Sequence, residues 1–345
     1  MNKAYEHYIG VDWSITKMAI ARMTGKSNKV TVIEVPSDVE ELRRYLSNLR
    51  GRRILTIEET TVAQWLYTEL KDSVERLIIC DPTRNRLLSE GAKTDKIDAV
   101  KLVQLLRAEM LKEVYHSANR LHDLRRVVSG YDGLVKSGVR YQNQRYSFLR
   151  SLGYKGDEAH GLKLKSPGDQ LVLEGLEKRI KAYEEEKALY KEEFERWSKR
   201  IPEIRHQKSL PGIGIICAAK IVSRVVSPAR FSSSGHYLSY AGLVKLIRKS
   251  GGVSYGRKEP RYSRDLKYAY KTAMMAAIDG NNEIGDYYEM LINEKNYTEY
   301  NARQKAARRL ATLSLGVFKS GRKYEPYDRR HRVKNRSGRT RSRSG

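Results

Sequence analysis

The order of apolar runs in the first 110 residues restricts the fold of this 345-residue chain more than any other feature. YIGVDW (8–13), KMAIARM (17–23) and KVTVIEV (29–35) follow one another across very short breaks. Breaks of that length join antiparallel strands, because a parallel pair needs a long crossover. The pattern then changes. Asp38 precedes VEELRRYLSNL, whose Leu42, Tyr45, Leu46 and Leu49 share one helical face. RRILTIEE (52–59) reads as a fourth strand, AQWLYTEL (63–70) as a helix, and RLIICDP (76–82) as a fifth strand stopped by Pro82. The expected order is βββαβαβ, followed by an amphipathic helix in GAKTDKIDAVKLVQLL (91–106), with Ile97, Leu102 and Leu106 turned to a core.

Carboxylates stand at the ends of these elements. Asp12 ends the first strand and Glu58 the fourth, while Asp95 and Asp98 open the helix after the fifth. A spacing of three puts Asp95 and Asp98 on one helix face. Taken alone, Thr94 or Asp95 is a helix cap and Asp98 a first-turn carboxylate favoured by the dipole. Taken with Asp12 and Glu58, the pair becomes half of a four-carboxylate set suited to Mg²⁺, or Mn²⁺, which bind oxygen ligands. Glu59 rivals Glu58, but strand alternation puts only one of them on the Asp12 side, and Glu58 is preferred. A βββαβαβ order with acids at strand ends is that of an RNase H-like α/β fold. A Rossmann fold fits worse, since no G-x-G-x-x-G follows the first strand.

Beyond residue 111 strand signals give way to helical ones. Segments near 121–150 and 170–200 carry apolar residues at helical intervals, and LEKRIKAYEEEKALYKEEFERW is laced with i,i+4 charge pairs. Two long antiparallel helices follow, either a dimerising coiled coil or a spacer within one chain. L-P-G-I-G at 210–214 resembles a helix-hairpin-helix segment, and DLKYAYKTAMMAAI reads as a packed helix. The expected division is 1–112 for the α/β domain, 113–204 for the helical spacer, 205–320 for a mainly helical C-terminal domain, and 321–345 for a disordered basic tail. That tail holds ten Lys or Arg and two acids in its 25 residues.

The charge balance, 67 basic against 41 acidic residues for a net of +26, calls for a polyanionic partner. No apolar run approaches the length of a membrane span and no signal segment opens the chain, so a cytoplasmic, nucleoid-associated protein with no membrane partner is expected. Cys80 and Cys217 sit in apolar contexts without zinc spacing, as buried thiols.

YIGVDWS, TIEETT, CDPTRNRLLSEGAKTDKIDAVKLVQLLR, LPGIG and LSYAGLVKLIRKSGG together resemble the DEDD-type insertion-sequence transposases, the bridge-RNA-guided serine recombinases, over about residues 5 to 280. The resemblance implies a RuvC-like N-terminal domain, a helical coiled coil and a C-terminal transposase domain. It places the family carboxylates on Asp12, Glu58, Asp95 and Asp98. It places the family's nucleophilic serine, in a motif ending Ser-Gly-Gly, on Ser250. Many relatives carry a second serine just before it, where this chain has Lys249. Ser254 and the cluster Ser232 to Ser234 are the alternatives. The residue-level reading leaves Ser250 either a nucleophile or part of a loop tip, since no histidine has triad-like placement to activate it. Arg248, Lys249, Arg257 and Lys258 are the candidate phosphate contacts.

The implied function is Mg²⁺-dependent cleavage and exchange of DNA strands through a serine–DNA phosphodiester, with a noncoding bridge RNA pairing to donor and target DNA. A homodimer would complete the site and a tetramer the synaptic complex. Two other readings stand beside it: a metal-dependent endonuclease of the Holliday-junction-resolvase type, and a non-catalytic RNA- or DNA-binding protein.

Overall fold

The computed structural model describes residues 5–82, 94–116, 121–155, 162–258 and 260–326, with the backbone alone described at 248–250 and 257–258. The chain divides into two compact units, residues 1–119 and 120–345. The basic tail from 327 and the stretch 83–93 lie outside the described residues.

In the first unit, β1 (His7–Trp13), β2 (Lys17–Thr24) and β3 (Ser27–Pro36) form the antiparallel meander that their short connections demand. β4 (Arg53–Glu58) pairs parallel with the free edge of β1, and β5 (Arg76–Cys80) parallel with β4. β6 (Glu113–Val114), two residues long and invisible to periodicity, closes the edge antiparallel to β5. The sheet order is β3-β2-β1-β4-β5-β6. Its core, an antiparallel 3-2-1 followed by parallel 1-4-5, is consistent with the RNase H-like architecture expected for a DEDD transposase domain.

The crossovers α1 (Val39–Ser47) and α2 (Ala63–Leu70) cover one face, where Leu42, Leu46, Leu66 and Leu70 pack on Ile9, Val11, Ile20, Leu55 and Ile57. Asp38 starts α1 as expected, accepting from the Glu40 and Glu41 amides. α3 (Asp95–Arg107) covers the opposite face with Ala99, Leu102, Val103 and Leu106. Ile97, expected to face the core, is instead 36% exposed, because the buried stripe runs through Ala99 and Val103.

In the second unit, α4 (Leu121–Ser151) and α5 (Pro167–Arg200) lie antiparallel against each other. Tyr131 meets Phe194 edge-on near one end, Tyr183 fills the bare face of Gly138, and Leu149 packs on Leu173 at the other end. The pair packs within one chain. Leu121, Leu124, Val128 and Phe194 belong to one core with the helices that follow: α6 (Pro202–Lys208), α7 (Ile215–Val225), α8 (Ser234–Tyr240), α9 (Arg264–Ile278), α10 (Glu283–Asn293) and α11 (Glu299–Ser320). A buried polar chain runs through it. Tyr270 bonds Tyr237 and Ser314, and Ser314 donates to Gln207 Oε1 at 2.6 Å. Gly212 of the L-P-G-I-G segment has φ +70°, and a β-carbon there would strike the Ala273 carbonyl of α9. That glycine serves packing within the unit. Among the described residues no helix is long and apolar enough to cross a membrane.

Candidate active site

Strand register brings two of the four acids together. Val11 of β1 pairs with Ile57 of β4, and Asp12 and Glu58 are the next residues on these parallel neighbours. They therefore lie side by side at the carboxyl end of the central strands. Side chains alternate along a strand, so Asp12 shares a face with Gly10, and Glu58 with Thr56. This is the α3 face: a β-carbon on Gly10 would stand 2.8 Å from the Ala99 carbonyl oxygen and 2.9 Å from Leu102 Cβ. Opposite Asp12 and Gly10 on β2 stand Ala19 and Ala21. Small residues thus let α3 settle close to the middle of the sheet, and its first turn delivers Asp95 and Asp98. Thr94, not Asp95, caps the helix, accepting from the Ile97 amide at 3.3 Å. That leaves both carboxylates in the first turn available to the sheet.

The Asp12 carboxyl senses both its burial and the other three acids. Asp12 is raised from 3.8 to about 6, first by burial and then by the charges of Asp95, Glu58 and Asp98 in turn. Asp98 is also paired with Lys101 at 3.5 Å. Cys80 pairs across from Glu58 on the same face, and burial followed by the Glu58 charge pushes its thiol up to about 12. It remains a neutral thiol beside the acids. Glu59 leaves by the other side, where its carboxylate takes His116 Nε2 at 3.1 Å while Gln64 Oε1 meets His116 Nδ1 at 3.0 Å.

This set fits a divalent hard cation in chemistry: four carboxylate donors, one of them raised by burial and by the charges of the other three. Among the described residues, no group of three or more His, Cys, Asp or Glu side chains already closes on a single ion position. Lys96, at the same helix start, is engaged with Glu34 of β3 at 2.8 Å. Gly10 was passed over in the sequence. A glycine inside an otherwise apolar strand was the available sign of close backbone approach.

The second candidate site lies in the second unit. β7 (Leu246–Ser250) and β8 (Val253–Lys258) form an antiparallel hairpin with Ser250 opposite Val253. Gly251 and Gly252 alone make the turn, with φ +54° and +81°. Two positive φ values in a two-residue connection are the type I′ pattern, which suits the strand twist. A sequence reading of this stretch as a loop missed the hairpin, although Gly-Gly between two short runs is a hairpin sign. Ser250 is therefore the last strand residue before a tight, projecting turn. Arg248, Lys249, Arg257 and Lys258 lie along the same two strands, and Ser254 pairs across from Lys249. Of the serine cluster, Ser233 caps α8 by accepting from the His236 amide at 3.1 Å, and Ser232 Oγ lies 3.4 Å from His236 Nδ1. Cys217 is half-buried and Cys80 buried, both unbridged.

Comparison with known proteins bears on both units. Residues 9–153 match the family model of the DEDD transposases of IS110 elements, and residues 205–289 match the Transposase IS116/IS110/IS902 family. Two separate stretches of the chain are thus similar to transposase families. The first match spans the acid-bearing sheet and continues through α4; the second runs from α6 to α10 and includes the β7–β8 hairpin. The uncharacterised 43.6 kDa protein of insertion element IS110 from Streptomyces coelicolor is 28% identical over 118 residues. That alignment covers 34% of this chain and 29% of the relative, less than a third of the relative's length. Asp12, Glu58, Asp95 and Asp98 all lie within the stretch matched by the first family model.

Proposed function

We propose that this chain is the DNA transposase of an IS110-type insertion element, cleaving and rejoining strands through Ser250 with the four carboxylates as its metal site. The observation that carries the reading is the register that sets Asp12 beside Glu58, with Asp95 and Asp98 in the first turn of the helix packed on the same face; burial first, and then these three charges, raise the Asp12 carboxyl to about 6. Four acids brought to one face and one end of the sheet, in a chain of net charge +26, suit a divalent cation that would draw them together. Mg²⁺, or Mn²⁺, when bound there would stabilise charge on phosphoryl oxygens. Asp12 and Glu58 hold their positions through the sheet, and Asp95 and Asp98 through the capped first turn of α3.

Ser250 Oγ attacks the scissile phosphorus. The serine proton leaves, the Oγ–P bond forms, the bridging O–P bond to the departing strand end breaks, and that oxygen takes up a proton. A free hydroxyl of the exchanged strand then attacks the phosphoserine, restoring a phosphodiester and the serine hydroxyl. The sequence offers no histidine with triad-like placement for Ser250, so its activation is assigned to the carboxylate site of this chain or of a second copy. A site completed by a second copy would need a dimer, and a synaptic complex a tetramer. Sequence choice is assigned to a noncoding RNA pairing with donor and target DNA, while the basic protein surface tracks phosphates.

The test mixes the full chain with element-end DNA, target DNA, the noncoding RNA encoded beside the gene, and Mg²⁺. Denaturing gels should show protein covalently joined to DNA for the native chain and none for Ser250→Ala. Nicking that persists in Ser250→Ala with no covalent species would replace this mechanism by water-mediated hydrolysis of the resolvase kind.

A further inference from the structure

The second unit carries a groove of about 650 Å³ lined by α9, α11 and the segment Gly242–Val244 that leads toward β7. Lys245 and Lys271 face it, with Lys305 and Arg308 from α11, while Lys267 joins the lining and donates to the Tyr262 hydroxyl at 3.3 Å. Among the described residues no carboxylate lines it, in a chain where charged residues elsewhere form many ion pairs. Like charges gathered without acids are costly unless an anion joins them. Arg308 is fixed in the groove by donating to the Leu243 carbonyl at 2.7 Å.

Two tyrosines interleave with these cations. Tyr300 is 67% exposed and Tyr297 38%. Lys305 Nζ sits 4.6 Å from the Tyr297 ring centre, so cation and ring form one surface. Tyr300, Gln304 and Arg308, spaced by four along α11, make a single stripe of ring, amide and guanidinium. A double helix hides the faces of its bases, so an exposed ring among phosphate-binding cations suits bases that are unpaired.

We propose that this groove binds an unpaired nucleic-acid strand, its phosphates on Lys245, Lys271, Lys305 and Arg308 and a base stacked on Tyr300. Ile247 of β7 forms part of the lining, so a strand leaving the groove runs onto the hairpin whose first strand ends at Ser250. The site rests on the nucleic-acid reading above, but not on its chemistry.

Equilibrium binding of the full chain in EDTA tests it, read by fluorescence anisotropy with labelled oligo-dT, oligo-U and a duplex of equal length. Tyr300→Ala should weaken single-strand binding about ten-fold, leave duplex binding unchanged, and be rescued by Tyr300→Trp. Replacing Lys245, Lys271 and Lys305 by Ala should reduce the slope of log affinity against log salt by about 2, at about 0.7 per contact. Replacing the exposed Lys178, Lys181 and Lys191 of α5 by Ala should keep the single-strand preference. A loss confined to oligo-U or to oligo-dT assigns the strand to RNA or DNA, and an equal loss assigns the groove to the shared backbone. The site is overturned if the native chain does not bind single strands, if Tyr300→Ala binds them normally, or if duplex binding falls equally. Tyr300 is mostly exposed, and an unchanged melting temperature will show that each variant is folded. Failure here leaves the covalent-adduct test standing, and failure of that test leaves this binding result standing.

Discussion

Gly10 of β1 lies so close to Val103 of α3 that a β-carbon at position 10 would stand 2.7 Å from the Val103 backbone nitrogen. The neighbours there are mostly backbone, which has little room to move. Gly10→Ala should therefore push the helix off the sheet and cost about 1–3 kcal/mol by overpacking. With α3 displaced, the Asp12 carboxyl should fall back toward the ordinary aspartate range and metal-dependent strand cleavage should be lost. Thermal melting, carbon-13 titration of the Asp12 carboxyl and a nicking assay read the three effects. A variant with Asp12 unmoved and cleavage intact would show that this contact does not position the acids.

Asp12 titrates at about 6 in the folded chain against 3.8 for a free side chain. The folded state thus holds this proton more tightly, and the linked stability is complete below pH about 4 and lost as pH rises through about 6. Without metal, Asp12→Asn should melt above the native chain at pH 8 by about 2–4 °C, and the difference should vanish below pH 4. Added Mg²⁺ should raise the native melting temperature more than that of the variant. A gap independent of pH would mean that the four acids are not coupled.

Glu58 and Glu59 are neighbours in sequence with different surroundings. Glu58→Gln should abolish Mg²⁺-dependent cleavage, by a hundred-fold or more on the scale of catalytic groups (~10²). Glu59→Gln should leave cleavage within about two-fold and cost on the order of 1 kcal/mol through its bond to His116. Comparable losses of cleavage in both would remove the distinction between them.

Lys220 of α7 is buried and ion-paired with Asp132 of α4, with its ammonium 5.4 Å from the Tyr131 ring centre. Removing the acid strands a buried charge, whereas removing the lysine leaves an aspartate that still reaches water. Asp132→Ala should cost about 3 kcal/mol and Lys220→Met clearly less. Urea denaturation of the two variants orders them, and the reverse order would contradict the assigned burial.

The β7–β8 turn requires positive φ at both glycines. Asn is tolerated at such positions and a β-branched residue is not. Gly251→Asn should keep strand-exchange activity within a few-fold, and Gly251→Val should lose most of it at near-native melting temperature. Equal activity in both would detach the hairpin from function.

Much of the first unit was legible because short connections, alternation and a visible cap dictate it. The breaks after Trp13 and Met23 permitted only antiparallel neighbours, and Asp38 marked the start of α1. The pairing of Asp12 with Glu58 followed from their places at strand ends. The rest depended on tertiary contact. Ile97 has the polarity of a core residue, yet the buried stripe of α3 was decided by what Gly10 and Ala19 leave room for. β6 carries no periodicity in two residues. α10 and α11 were passed over because their polar faces dilute the apolar stripe, and with α11 went the sign of Tyr300, Gln304 and Arg308 at spacing four.

Leu124, Val128 and Tyr131 of α4 and Phe194 of α5 pack in one core with α6, α7 and α9. The boundaries of the second family match, 205–289, are therefore poor cutting points for protein engineering. A chimera that takes this domain from a relative has to import the matching α4–α5 pair as well. Otherwise the donor's apolar surface meets side chains selected against a different complement.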